Sequence, residues 1–136
     1  MFFISILFSS CSKTGCADTV ANNFDSKAKK ENGSCNYSYT TYIGNYQLID
    51  TTIDWNEITT IKNYTLLISY NGIVNEIELQ NLGNSWVSFK ATLNGNNFII
   101  PAERTLTEVE GTVNENKLRL SYSYNSLTCF GTGVKM

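Results

Sequence analysis

Lys117 to Val134, KLRLSYSYNSLTCFGTGV, is the stretch that decides the fold. Leu118, Leu120, Tyr122 and Tyr124 alternate with Arg119, Ser121 and Ser123, the period of two that sends one set of side chains to each face of a β-strand. A second run of β-branched, aromatic and small residues, 127–134, follows after two residues. Working outward, Val87, Phe89, Ala91 and Leu93 oppose Ser88, Lys90 and Thr92, and Ile77 and Leu79 oppose Glu76, Glu78 and Gln80. The apolar sets are expected to line an interior. The full pattern predicts strands over 41–50, 64–70, 73–80, 86–93, 98–102, 106–113, 117–124 and 127–134. Eight is the count of a small closed barrel.

Asn71-Gly72 and Asn94-Gly95 are two-residue hairpin signals, because both central residues of a type I′ turn need positive φ. Leu82-Gly83-Asn84 and Asn114-Glu115-Asn116 are looser turns. Connections this short favour sequential antiparallel pairing and leave no room for parallel crossovers. The expected class is therefore all-β, an antiparallel up-and-down eight-stranded barrel. Its longest connection, 51–63, would hold a helical turn or a lid around Trp55. Pro101 should mark a bend or a sheet edge, where a missing N–H is tolerated.

Composition narrows the chemistry. With 10 Lys and Arg against 12 Asp and Glu, the chain has a formal net charge of -2 and no basic face for phosphates, so nucleic acid is not an expected partner. Lys27, Lys29 and Lys30 form only a small solvated cluster. Histidine is absent, which removes the commonest general base and metal ligand and, with them, most hydrolase and zinc readings. No cofactor is called for.

The N-terminus speaks to location. Residues 1–10 are apolar or hydroxylated and run through Phe8, Ser9 and Ser10 into Cys11, the order of a bacterial lipoprotein signal whose cysteine is lipidated and becomes the first mature residue. No Lys or Arg precedes the apolar run, and Phe8 stands where Leu is usual. The stretch falls short of the about 20 apolar residues that span a bilayer. Membrane contact is thus expected through lipid on Cys11, with the protein in the cell envelope, anchored to the outer membrane on its periplasmic or surface face. The expected organisation is a signal peptide over 1–10, a lipidated, loop-rich tether over 11–40 and a barrel over 41–136.

Within the tether, Gly15-Cys16-Ala17-Asp18, Ala21, Asn23-Phe24-Asp25, Ala28 and Gly33-Ser34-Cys35-Asn36-Tyr37 resemble a short cysteine-bounded repeat of secreted and surface proteins of Bacteroidetes. The resemblance implies a disulfide between Cys16 and Cys35. Closing such a loop would stabilise the segment by roughly 3 kcal/mol, and without it the segment is expected to be disordered. The residues themselves leave open a pairing of Cys129 with Cys16 or Cys35. The acids of the repeat invite a calcium reading through Asp18, Asp25, Glu31 and Asn32. Against it, Thr19 and Ser26 replace prolines, Glu31-Asn32 replaces paired Asp, and the three lysines add positive charge; no metal is the main expectation.

Tyr42-Ile43-Gly44-Asn45-Tyr46, Asn81-Leu82-Gly83, Phe98-Ile99-Ile100-Pro101 and Thr128-Cys129-Phe130-Gly131-Thr132-Gly133 resemble the small lipocalin-like barrel domains that follow such tethers in Bacteroidetes lipoproteins. Members of that group carry a cysteine soon after the first strand that would pair with the C-terminal one. Here Asp50-Thr51-Thr52 occupies that region. Cys129 is then a free thiol, expected to be buried and inert in a chain without histidine.

The functional expectation is a non-enzymatic binding module for a small apolar molecule, glycan or peptide, with Phe89, Leu118, Leu120, Tyr122 and Tyr124 lining the barrel. The alternative is a structural or interaction lipoprotein with a side-chain-filled barrel that meets an envelope protein through Trp55 and Trp86. Trp86 sits on an outward face, where the tether is its default cover. The acid pairs Glu76 with Glu78 and Glu108 with Glu110 share strand faces as glycosidase carboxylates can, but read as solvated faces that discourage edge pairing. The chain is not expected to be an enzyme.

Overall fold

A computed structural model describes residues 12–103 and 106–136. The expectations for 1–10 and for lipid on Cys11 lie outside the described residues. The chain parts after Tyr37 into two compact units.

The first unit is held by local turns. Two-residue strands β1 (Thr14–Gly15) and β2 (Lys30–Glu31) pair in parallel, and Cys16 is bonded to Cys35, 19 residues on, with their Cα atoms 4.9 Å apart. This is the pairing the resemblance implied. Asn23 ties the two halves of the loop, its amide donating to the Ser34 carbonyl at 2.6 Å while its Oδ1 accepts the Asn36 N–H at 2.8 Å. Among its described residues only Cys16 and Ala21 are buried apolar side chains, so the covalent bridge replaces the burial a larger unit would have.

The second unit is a closed barrel preceded by a helical turn. After α1 (Tyr39–Tyr42) come β3 (Gly44–Ile53), β4 (Thr59–Tyr70), β5 (Glu76–Gln80), β6 (Ser88–Asn94), β7 (Asn97–Ile100), β8 (Val109–Asn114), β9 (Lys117–Tyr124) and β10 (Leu127–Lys135). Each strand is antiparallel to the next, and β10 closes on β3. The up-and-down eight-stranded barrel is as expected, with no open edge left to cap.

Four local expectations are corrected. The tether ends before residue 40, because residues 39–42 form a helical turn that belongs to the barrel unit and the first strand starts only at Gly44. The 51–63 connection is not long. Thr51, Thr52, Ile53, Thr59, Thr60 and Ile61 extend β3 and β4 into a paired ladder, as β-branched residues favour, leaving a tight turn in which Asp54 Oδ1 accepts the N–H groups of Asn56 and Ile58 at 2.9 and 2.8 Å. Asn71-Gly72 is not a two-residue hairpin: β5 begins at Glu76, and within the loop Gly72 and Asn75 hold positive φ. The β6–β7 loop is Gly95-Asn96, one residue later than expected, since Asn94 pairs with Asn97 and only Gly95 has positive φ. The two-residue turn with positive φ at both positions is Asn125-Ser126.

The inward face fills one half of the barrel. Tyr46, Leu48, Leu66, Ile68, Ile77, Leu79, Phe98, Ile100, Leu118 and Leu120 are buried together, and α1 closes that end. Tyr42 from α1 packs edge-on against Phe98 with ring centroids 5.8 Å apart and donates its hydroxyl to the Gly95 carbonyl at 2.9 Å. Tyr46 donates to the Tyr42 carbonyl at 2.7 Å. The Phe98 ring lies over Gly111, where a Cβ would sit 2.0 Å from ring carbon Cζ. Glycine is therefore the hole into which this ring fits.

Candidate functional site

The opposite end of the barrel is not filled. Between the β3–β4 ends, the segment before β6, and β9 and β10 lies a cavity of about 460 Å³, within the range of roughly 300 to 1,000 Å³ usual for small-molecule sites. Its walls are largely apolar: Leu82, Val87, Phe89, Leu106, Tyr124 and Leu127. Its polar groups are fewer and come mainly from β3 and β4, where Asp50, Thr52, Thr60 and Lys62 face inward.

Asp50 is the centre of this arrangement. The even positions of β3 point inward, so Tyr46, Leu48, Asp50 and Thr52 form one line from the sealed end to the open one. Asp50 is only 2% exposed. Its Oδ2 accepts hydroxyl hydrogen bonds from Tyr64, at 2.9 Å, and from Tyr122. Tyr64 in turn accepts the N–H of Gly83 at 2.8 Å, which fastens the single turn of 3₁₀-helix Leu82–Asn84 beside the cavity. Asp50 Oδ1 is buried with no hydrogen-bond partner. Lys62 stands directly opposite Asp50 in the β3–β4 ladder, yet among the described residues no ion pair reaches Asp50.

Electrostatics follow from burial. The phenols of Tyr64 and Tyr122 are pushed well above the ordinary tyrosine value, first by desolvation and then by the Asp50 carboxylate they serve. Both remain neutral donors at any ordinary pH. Cys129 is free and buried, its thiol raised by desolvation. Its Sγ lies 3.6 Å from Thr52 Oγ1, the residue it faces in the β10–β3 ladder. Thr52 thus sits where the resemblance would place a partner cysteine.

The structure sorts the sequence candidates. Phe89, Tyr122 and Tyr124 line the cavity, with Tyr122 in the polar centre and Tyr124 at an exposed edge. Leu118 and Leu120 do not; they are buried in the core without lining it. Trp55 and Trp86 are 86% and 104% exposed. Trp55 is at the tip of the β3–β4 hairpin, and Trp86 precedes β6 instead of starting it. Asp50, Lys62, Leu82, Leu106, Leu127 and Cys129 were not foreseen as cavity residues. For Asp50 a signal existed, a lone acid in the inward phase of an apolar strand.

The four oxygen-bearing residues considered for calcium each serve the loop's own groups. Asp18 accepts from the Tyr37 hydroxyl at 2.7 Å and the Val20 N–H at 3.1 Å, which lower its pKa. Asp25 pairs with Lys13 at 2.6 Å, which lowers its pKa likewise. Glu31 accepts the N–H groups of Ala17 and Gly33 at 2.9 and 3.1 Å, and Asn32 that of Ser34 at 3.0 Å. Cys16, Glu31 and Cys35 cluster closely, but both sulfurs are spent on the disulfide.

No family model matches the chain, and no curated protein is significantly similar to it.

Proposed function

We propose that this chain is a non-enzymatic binding module of the bacterial cell envelope, held at the outer membrane by lipid on Cys11 and taking a small molecule with an apolar body into the open end of its barrel. The observation that carries the reading is the cavity of about 460 Å³ behind a barrel sealed at its other end. A barrel needed only as a scaffold gains stability by filling that space with side chains. The acid pairs offer little support for catalysis. Glu76 accepts from the Asn71 amide and lies 3.9 Å from Lys90, Glu78 faces Lys90 in the ladder, and Glu110 is exposed on β8.

Native mass spectrometry of the protein taken from its own membrane, after delipidation, tests the reading. A small molecule released on mild activation is expected, and a bare protein that also fails to bind any small apolar probe would overturn it. Loss of metabolic fatty-acid labelling in Cys11→Ser is the matching test of the anchor.

A structural or interaction role is favoured by a different observation. Phe130, Thr51 and Ile61 lie side by side across β10, β3 and β4 on the outer face, and Phe130, Ile61, Trp55 and Trp86 are exposed. Apolar surface of this kind marks contact sites. Binding of an envelope protein that survives blocking of the cavity would favour that role.

A further inference from the structure

We infer that the cavity selects an organic cation: a molecule with an apolar body and a primary or secondary ammonium group whose N–H donates to Asp50 Oδ1. The inference rests on the binding reading above and names the class of ligand that reading leaves open.

Three observations converge. Asp50 is nine-tenths buried and more, it lines the cavity, and one of its two oxygens is without a partner. The other oxygen is saturated by Tyr64 and Tyr122, and these hydroxyls hold the carboxylate in one orientation. The nearby alternatives are otherwise engaged, since Thr52 and Cys129 are hydrogen-bonded to each other and no ion pair reaches Asp50 among the described residues. A buried acceptor without a donor is costly, and a buried charge without a counter-charge is costlier. Water at Oδ1 would supply the hydrogen bond but not the charge. An ammonium supplies both, and the apolar walls made by Leu82, Phe89, Leu106 and Leu127 take the rest of the molecule.

Lys62 is the group that opposes this choice. It faces Asp50 across the ladder, lines the cavity and is exposed. Its long stem lets the ammonium reach solvent while the methylenes cover the wall, so the charge of Lys62 acts at the mouth and that of Asp50 at the floor. A carboxylate at the far end of the ligand would meet Lys62 there, and a purely anionic ligand would leave Asp50 uncompensated.

The test uses three probes of one shape on the intact protein: 2-phenylethylammonium, 2-phenylethanol and 3-phenylpropionate, followed by calorimetry or by ligand-observed NMR. The ammonium is expected to bind about tenfold to a hundredfold more tightly than the alcohol, the range for a charge-assisted bond in place of a neutral one, and the propionate most weakly. Asp50→Asn keeps the shape and the acceptor for both tyrosines but presents an N–H where Oδ1 was. In it the preference for ammonium over alcohol should vanish or reverse, with an unchanged circular dichroism spectrum showing that the barrel persists. Lys62→Met should tighten ammonium binding severalfold without restoring the propionate. Equal binding of ammonium and alcohol to the wild type, or a preference that survives in Asp50→Asn, would overturn the inference while leaving the binding reading intact. Failure of all three probes to bind would overturn the inference, and the binding reading falls with it only if the native protein also carries no small molecule in mass spectrometry.

Discussion

The two ends of the barrel are built from the same eight strands and the same inward alternation, yet one is packed and the other hollow. At the sealed end Tyr42 packs on Phe98, whose ring lies over Gly111, and the hydroxyls of Tyr42 and Tyr46 each donate to a backbone carbonyl. At the open end the line that begins with Tyr46 and Leu48 continues into Asp50 and Thr52, and the side chains around them leave about 460 Å³ unfilled. The sealed end is packed by its own side chains, and on the proposed reading the open end is where a ligand would sit.

The largest expected effect tests the sealed half. Phe98→Ala empties a fully buried ring site and should destabilise the barrel by about 3 to 5 kcal/mol, whereas Phe89→Ala, at the wall of an existing cavity, should cost about 1 kcal/mol or less because its ring is only partly buried. Urea unfolding followed by far-ultraviolet circular dichroism measures both. Similar losses at the two positions would break the distinction. Comparable in size is the effect of the bridge in the other unit. Cys16→Ser with Cys35→Ser should remove roughly 3 kcal/mol from the stapled segment, seen as lost amide protection over 12–37, while the barrel's unfolding midpoint stays put.

Much of this division was legible in the chain, and the illegible part has identifiable causes. Ile77, Leu79, Ala91, Leu93, Leu118 and Leu120 occupy the inward face as their alternation requires. Alternation, however, reports a face and not a height along the barrel axis. Leu120 and Tyr122 therefore look equivalent, and both are buried, although only Tyr122 lines the cavity and hydrogen-bonds Asp50. Height depends on strand register and on where the plug sits, and the C-terminal half of α1 reads as the start of a strand because Thr41 and Tyr42 are good β-formers. Asp50 is hard to read as an inward residue because an acid in an apolar phase normally argues that the strand has ended, when here Tyr64 from the adjacent β4 and Tyr122 from β9 make its burial tolerable.

A smaller effect comes from alkali. Burial raises the phenols of Tyr42 and Tyr46 from 10.0 to about 12, and those of Tyr64 and Tyr122 also rise. A group with a higher pKa folded than unfolded holds its proton longer in the native state, so the unfolded state binds fewer protons as pH passes 10. Stability is then complete below pH 10 and falls as pH rises through about 12. Melting temperature against pH, with tyrosinate absorbance as the second probe, should show this fall. Tyr42→Phe should soften its slope, and at neutral pH should cost about 1 kcal/mol for the lost hydrogen bond to Gly95.

The smallest expected change is the most telling about the open end. Asp50→Asn retains an oxygen for Tyr64 and Tyr122 and removes a buried carboxylate that no ion pair reaches among the described residues. Eliminating such a charge without orphaning its partners is close to neutral or stabilising. The variant's melting temperature should therefore match or exceed that of the wild type. A loss above about 2 kcal/mol would instead place Asp50 beside Phe98 as a part that holds the barrel together. In that event the hollow end would owe its polar centre to folding. A barrel that becomes no less stable when its one buried acid is neutralised keeps that acid for a reason outside the fold, and the cavity beside it is where that reason has room to act.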